Sequence, residues 1–355
     1  MRSSSTKFLN DKNHTFVIAE AGSNWKTKDL KTSIIRAKKM IRVAKTSGAD
    51  AIKFQTYSAE KVYVPDAGSS NYLSKSGITK SINQIFEEFS MPHSVLSELK
   101  NYCTKQKIQF MSTPFSVSDA KAVNKFVKIH KVASYEINHL SLLKFLAGTN
   151  KPIIVSTGAA TPKKISYAIK ILKKYGAKQI FLLQCTASYP APVNSLNLSS
   201  IPKLKEKFNL PVGFSDHSID PFVAPLLAIG YGATIVEKHF TLNKKFVGPD
   251  HAFAIEPKEL KQLVSSIRNA DAAKGTGIKN VEKIEKELEK FATRSIQATK
   301  NINKGDKLVF EKNFELLRPG KRTRGADAID IQKINGKISK RKIQTGDGIK
   351  TNYVI

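Results

Sequence analysis

The chain is poor in cysteine: 355 residues hold two, Cys103 and Cys185, and neither sits in a C-x-x-C pair. No disulfide framework supports the fold, and a reducing cytoplasm is the expected setting. Long hydrophobic runs are missing as well. Nothing approaches the roughly 20 consecutive apolar residues that span a bilayer, so no membrane partner is expected. The opening residues, MRSSSTKFLNDKNHTF, lack the apolar centre of a secretory signal. A P-loop and a G-x-G-x-x-G turn are also absent, which leaves nucleotide binding without support. Negative charge is scarce: 29 acidic residues face 59 basic ones, for a formal net charge of +30.

Such an excess invites a nucleic-acid reading. Its distribution argues for another. Residues 294–355 hold 15 basic and 6 acidic residues, so the excess is enriched there yet extends over the whole chain. It falls on solvent-facing helix positions such as Lys163, Lys164, Lys170, Lys173 and Lys174, with no aromatic-interleaved basic motif. The expectation is a generally basic surface that attracts anionic substrates, and no nucleic-acid partner.

Hydrophobic residues make up 41% and charged residues 25%, ordinary globular values that supply a large core. The first 280 residues repeat one unit: a β-rich apolar run, a polar loop, then a helical stretch. The runs are FVIAEAG (16–22), AIKFQTY (51–57), IQFMSTPF (108–115), HKVASYE (130–136), PIIVSTG (152–158), IFLLQCT (180–186), VGFSDHS (212–218) and TIVEKHF (234–240). Eight β-α units predict a parallel sheet covered by helices, and eight is the number that closes a (β/α)8 TIM barrel. A doubly wound open sheet is the competitor. It would not gather the ends of all eight strands at one place, whereas a barrel does so at its mouth. The expected barrel covers 1–278, with a lid or binding loop at 59–93. A charged connecting helix follows over 279–293, centred on KNVEKIEKELEKF, and a small domain of short strands and turns over 294–355.

The runs begin apolar and end in functional groups. His217 and His239 end the seventh and eighth runs, so neighbouring barrel strands bring two imidazoles together, with no thiolate nearby. Two histidines with open positions suit a divalent transition metal. His251, on a loop, is a weaker candidate. Lys53, Thr113, Lys131, Ser134, Ser156 and Ser215 form a second set, suited to phosphate and carboxylate; snorkelling lysines are the alternative. Glu20, Glu136 and Asp250 offer acid-base chemistry or hydroxyl binding, and a structural ion pair is an equal reading for Glu136. Lys238 is either part of the site or a salt-bridge partner.

In this order, IAEAGSN, IKFQT, STPFS, KVASYE, IIVSTG, CTASYPAP, GFSDHS, EKHFT, GPDHAF and LLRPG resemble the sialic acid synthase family over nearly the whole length. These nonulosonic acid synthases condense phosphoenolpyruvate with an N-acetylated hexose. The resemblance implies that His217 and His239 bind the metal, usually manganese. It implies phosphoenolpyruvate binding by Lys53, Thr113, Lys131, Ser134, Ser156 and Ser215. Glu20 matches the acidic residue beside metal and reacting water. Gln55, Asn71, Tyr189 and Asp250 match sugar contacts. The tail resembles the family's antifreeze-like (SAF) domain, and Arg318 matches an arginine that reaches the other subunit's site in a domain-swapped homodimer. Tyr135 looks more like the pseudaminic acid synthases, GPDHAF like the sialic or legionaminic branch. After Arg318-Pro319-Gly320 the chain reads KRTRG, where the family commonly continues RPGNG. Non-catalytic carbohydrate binding and nucleic-acid binding are the alternatives from other classes.

Overall fold

A computed structural model describes residues 9, 11, 13–69 and 80–355. Two compact units divide the chain, Met1–Gly275 and Thr276–Ile355.

In the first unit, eight parallel strands form a nearly closed barrel. They are β1 (Phe16–Gly22), β2 (Ala51–Thr56), β3 (Gln109–Pro114), β4 (His130–Val132), β5 (Ile153–Ser156), β6 (Ile180–Cys185), β7 (Val212–Asp216) and β8 (Ile235–His239). Their hydrogen-bonded order is β3-β2-β1-β8-β7-β6-β5-β4, and the two ends of that order, β3 and β4, lie against each other. The helices that follow the strands include α1 (Leu30–Thr46), α2 (Ile82–Phe89), α3 (His93–Gln106), α4 (Val117–Asn124), α5 (Leu140–Ala147), α6 (Pro162–Lys174), α7 (Ser200–Phe208), α8 (Val223–Gly230) and α9 (Pro257–Ala273).

Local chemistry explains the helix limits. Asp29 caps α1 by accepting from the Thr32 amide, and Ala37, Met40, Ile41 and Ala44 form its buried stripe. Thr161 caps α6, Pro162 opens it, and the chain leaves it at Gly176, whose φ of 104° suits glycine.

Alternation along each strand sorts its residues between two environments. Val17 and Ala19 pack outward against helices, as do Ile52 and Phe54, Ile153 and Val155, and Val212 and Phe214. Ile18, Ala51, Met111, Ile129, Ile154, Leu183 and Ile235 instead fill the lumen with an apolar layer, and β7 contributes Gly213 at the same level. Two residues further along each strand, the side chains are Glu20, Lys53, Thr113, Lys131, Ser156, Cys185, Ser215 and Glu237. The barrel therefore has an apolar floor with a ring of reactive groups directly above it.

Gly213 makes room in that floor. A Cβ there would lie 2.4 Å from Ile235 O and 2.7 Å from Leu183 Cδ2. Gly213→Ala is expected to destabilise the protein by about 1–3 kcal/mol or more through overpacking. Denaturant unfolding measures it, and an unchanged midpoint would contradict this account of the floor.

The fourth run is shorter than its sequence suggests. After Val132 the chain leaves the sheet and makes a 3-10 turn over Ser134–Glu136, which brings Ser134 Oγ to the Gly158 amide at 3.0 Å. The connecting helix is also shorter. A single turn at Lys283–Glu285 precedes α10 (Lys286–Ala292), because Glu282 caps the segment and receives the reciprocal Glu285 contact. The second unit pairs β9 (Ser295–Ala298) with β10 (Phe314–Leu317) in antiparallel fashion around Ile296, Leu308, Phe314, Ile334 and Ile349. Turns form at Gly305 and Gly346, both with positive φ. Among the described residues, no helix is long and apolar enough to cross a membrane.

Candidate active site

The ring above the floor is an ionic network. Lys53 Nζ lies 2.8 Å from Glu20 Oε2, donates to Thr113 Oγ1 at 2.9 Å and stands 3.6 Å from Glu237 Oε2. Across the lumen, Lys131 Nζ donates to Ser156 Oγ at 2.6 Å and to Val132 O at 3.1 Å, and lies 3.8 Å from Glu237 Oε1. Ser215 Oγ donates to that same Oε1 at 3.0 Å. Both lysine side chains are only 3% exposed. These are not snorkelling surface lysines but buried charges held by carboxylates and hydroxyls.

The two carboxylates respond differently to this setting. Burial pushes the Glu20 carboxyl up to about 7, against the opposing attraction of Lys53. Glu237 is equally buried, yet Lys131 and Lys53 together outweigh burial and hold it below its ordinary value. Burial lowers Lys131, with partial compensation from Glu237. Lys53 is raised, because Glu20 and Glu237 overcome its desolvation.

His217 and His239 sit one layer higher, with ring centroids 5.4 Å apart. His217 Nδ1 donates to Thr186 O at 2.8 Å, so Nε2 is the nitrogen left for a metal, which would displace its proton. Against burial, Cys185, Thr186 O and Asp216 hold the His217 pKa above its ordinary value. His239 Nδ1 is buried without a hydrogen-bond partner, 3.9 Å from Asp250 Oδ2. Burial, followed by the charges of His217 and the lysines, keeps His239 neutral by lowering its pKa well below the ordinary value. Two imidazoles, one of them with an orphaned nitrogen, fit a divalent transition metal. Among the described residues, no group of three Cys, His, Asp or Glu forms a ready-made cage. A metal here would keep open positions for water and substrate oxygen. His251 does not extend this pair: its Nδ1 meets Thr241 Oγ1 at 2.6 Å, inside the loop after β8.

Aromatic rings wall the histidines. Tyr189 lies 4.3 Å from His217 and 5.6 Å from Phe253, and Phe253 lies 5.1 Å from His239, all between centroids. Gln55 Nε2 donates to Glu20 Oε1 at 3.0 Å. Asp250 Oδ2 accepts from Ser23 Oγ at 3.0 Å, and burial raises its pKa.

One cavity is lined by Glu20, Lys53, Gln55, Thr113, Lys131, Ser134, Ser156, Tyr189, Ser215, His217 and His239. Asp250 adjoins it through His239. Glu136 stands outside this lining, on the turn after β4, with no ion pair among the described residues; burial pushes it up to about 7. The ion-pair reading of Glu136 therefore finds no partner. Asn71 lies outside the described residues. Arg318 is an exposed residue of the second unit. Lys238 resolves to the structural reading: it points away from the lumen, with Nζ 2.6 Å from Asp216 Oδ2 and further bonds to Ser218 O and Asp220 O. Asp216 and Lys238 are paired across β7 and β8, directly beside the two histidines.

Four further residues line the cavity without being sequence candidates, Phe115, Ala133, Cys185 and Glu237, and the last two carry reactive groups. The signal was present in the strand period. If His239 faces the lumen, so does the residue two before it, and Glu237 precedes it by two. Cys185 has the same relation to Leu183. Its Sγ lies 3.6 Å from Ser134 Oγ and 3.8 Å from His217 Nδ1, so the expectation of no thiol near the histidines is corrected: β6 turns Cys185 into the lumen beside β7.

The sequence profile of the NeuB family matches residues 40–279. The chain is 38% identical to the N,N'-diacetyllegionaminic acid synthase of Campylobacter jejuni, over 95% of this chain and 99% of that protein. It is 33% identical to a pseudaminic acid synthase of the same species, over 96% and 97% of the two chains. Among solved structures, the N-acetylneuraminic acid (sialic acid) synthetase of Leptospira borgpetersenii superposes with a TM-score of 0.67 at 33% identity, covering 78% of this chain and 90% of that one.

Proposed function

The chain belongs to the NeuB family of nonulosonic acid synthases, and from that premise we propose that it condenses phosphoenolpyruvate with an N-acetylated hexose, releasing phosphate. The observation that carries the reading is the Lys53–Glu237–Lys131 network set below the His217–His239 pair. It offers two buried cations to an anion and two imidazoles to a metal, within one cavity.

In this reading, Lys53 and Lys131 hold the phosphate and carboxylate of phosphoenolpyruvate, aided by Thr113, Ser134, Ser156 and Ser215. Their charges are balanced by Glu20 and Glu237 until the substrate arrives. Gln55, Tyr189, Asp250 and Glu136 contact the sugar, with Asn71. His217 Nε2 and His239 hold a divalent ion, manganese by family resemblance. When bound, that ion supplies Lewis-acid polarisation of the open-chain aldehyde. The enol carbon forms the new C–C bond to the aldehyde carbon, whose carbonyl π pair moves to its oxygen as an alkoxide, and a cation is left at the pyruvyl C2. Water adds at C2 and gives its proton to Glu20, whose pKa near 7 matches that task. The tetrahedral adduct then breaks the C2–O bond to phosphorus: its C2 hydroxyl becomes the ketone and gives its proton to the departing phosphate, while the alkoxide takes up the proton held by Glu20.

Relatives named for legionaminic and pseudaminic acid favour a diacetamido-trideoxy hexose as acceptor, and Tyr135 supports that choice. N-acetylmannosamine is the second reading, favoured by the likeness to the Leptospira enzyme. Incubation of purified protein with phosphoenolpyruvate, manganese and a hexose panel, with products identified by mass, separates the two. No condensation with any N-acetylated hexose would refute the reading. We read the second unit as the antifreeze-like domain of a domain-swapped homodimer that brings Arg318 to the partner's mouth.

The pH dependence follows from Glu20. A carboxyl raised to about 7 becomes ionised as pH rises through that value, so kcat/KM is expected to climb with an apparent pKa near 7. Glu20→Gln should remove that limb along with most activity. Folding linkage has the opposite slope: from about 4.5 to 7 the folded state holds a proton the unfolded chain has lost, so stability falls as pH rises through this window. Glu136 is also pushed up to about 7, so both substitutions are required. A limb that survives Glu20→Gln and vanishes in Glu136→Gln would assign it to Glu136.

A further inference from the structure

Substrate binding leaves the basic run Lys321-Arg322-Thr323-Arg324 unexplained. Arg318, at the head of this loop, is exposed and makes no hydrogen bond or ion pair among the described residues. Its placement therefore depends on how the loop is held. The Gly320 amide donates to Phe291 O at 3.0 Å, in the last turn of α10. Arg324 Nη1 donates to Glu289 O at 3.1 Å and to Thr293 O at 3.0 Å. Glu289 O also accepts from the Thr293 amide at 3.2 Å, but carbonyls at a helix C-terminus carry partial negative charge, so a guanidinium is a fitting further partner. On the other flank, Arg322 Nη2 donates to Thr345 O at 2.9 Å, and its Nε stands 3.4 Å from Asp347 Oδ1. The Arg322 amide also closes a turn onto Pro319 O at 2.9 Å, with Gly320 at a φ of 58°.

Of the two struts, Arg324 is the better shielded, at 28% side-chain exposure against 53% for Arg322. It is also the one that bridges two carbonyls of the connecting segment. We propose that Arg324 is a positioning residue for Arg318. It fastens the loop to the end of α10, so that the connecting helix and the Arg318 loop move as one piece. The inference rests on the reading that Arg318 meets the substrate. In this chain the run after Arg318-Pro319-Gly320 then acts as a brace rather than as a second anion site.

The test is a double-mutant cycle on the full-length, manganese-loaded protein, with phosphate release as the readout. Arg324→Ala is expected to lower kcat by on the order of ten-fold, with little change in KM for phosphoenolpyruvate, as displacement of a substrate-directed group does. In an Arg318→Ala background it should cost nothing further. Arg324→Lys, which keeps the charge but not the two-pronged geometry, should recover part of the loss. Hydrogen exchange at the Ile296 and Ile349 amides reports on the fold of the unit, because both are bonded within its core. Those amides should stay protected. Multiplicative losses in the double variant, or a wild-type rate in Arg324→Ala beside a defective Arg318→Ala, would overturn the positioning role alone. Loss of amide protection together with activity in both Arg324 variants would overturn it too, by making Arg324 a support of the fold. A wild-type rate in Arg318→Ala would remove the underlying reading and the inference with it.

Discussion

Replacing His217 and His239 together with alanine is expected to abolish condensation, lowering the rate by at least about a thousand-fold if the divalent ion supplies several kcal/mol of charge stabilisation. Chelation of the wild-type protein should do the same reversibly, with manganese restoring the rate. The argument is geometric. His217 is committed by its Nδ1 bond to Thr186 O, and His239 carries a buried nitrogen with no partner. Such an orphan is costly unless a ligand uses the site. Each single variant should lose nearly as much as the double, because one imidazole and water make a poor metal site. Steady-state phosphate release after exhaustive chelation measures the effect, and metal analysis of each variant gives a readout independent of rate. A metal-free double variant with wild-type kcat/KM would remove the metal from the mechanism.

Lys53→Met and Lys131→Met should each lower kcat/KM for phosphoenolpyruvate by roughly 2–4 kcal/mol, or about thirty- to several-hundred-fold. The two should differ in pH behaviour. Lys53 stands between Glu20 and Glu237, at 2.8 and 3.6 Å. Its removal leaves two buried carboxylates without the cation that separates them, so Glu20 should hold its proton to higher pH still. The rising limb of the pH profile should therefore move upward in Lys53→Met. Lys131 has no contact of that kind with Glu20, and its removal should leave the limb nearly in place. Breaking a buried ion pair also costs stability, typically about 3–5 kcal/mol, so folding of both variants is checked by thermal unfolding before rates are compared. Wild-type kcat/KM in either folded variant would place the anion site elsewhere.

The barrel was legible because parallel strands are buried on both faces and read as compact apolar runs. FVIAEAG became β1 residue for residue. The fourth run was overestimated because its last residues, Ser134 to Glu136, keep a strand-like composition while the chain turns to bring Ser134 toward Gly158. Within the site, residues at run ends were found because polarity marked them. Glu237 carries no such mark, because it lies inside a run whose polarity continues into Lys238 and His239. Strict alternation separates the three: Glu237 and His239 share the lumen, and Lys238 joins Asp216 outside it. The segment around Asn71 carries no periodic signal, and that sugar contact rests on resemblance alone.

The apolar floor makes the barrel a vessel sealed at its base, with the lysine–glutamate ring at the bottom and Tyr189, Phe253 and Asp250 nearer the rim, beside the histidines. Under the proposed chemistry, such a vessel imposes a queue. Whatever occupies the lysine layer must enter before the hexose covers it, so phosphoenolpyruvate loads first. Inorganic phosphate, left at the same depth by C–O cleavage, departs after the sugar acid above it has gone. Kinetic order is thus set by depth alone, and phosphate should inhibit as a competitor of phosphoenolpyruvate and not of the hexose.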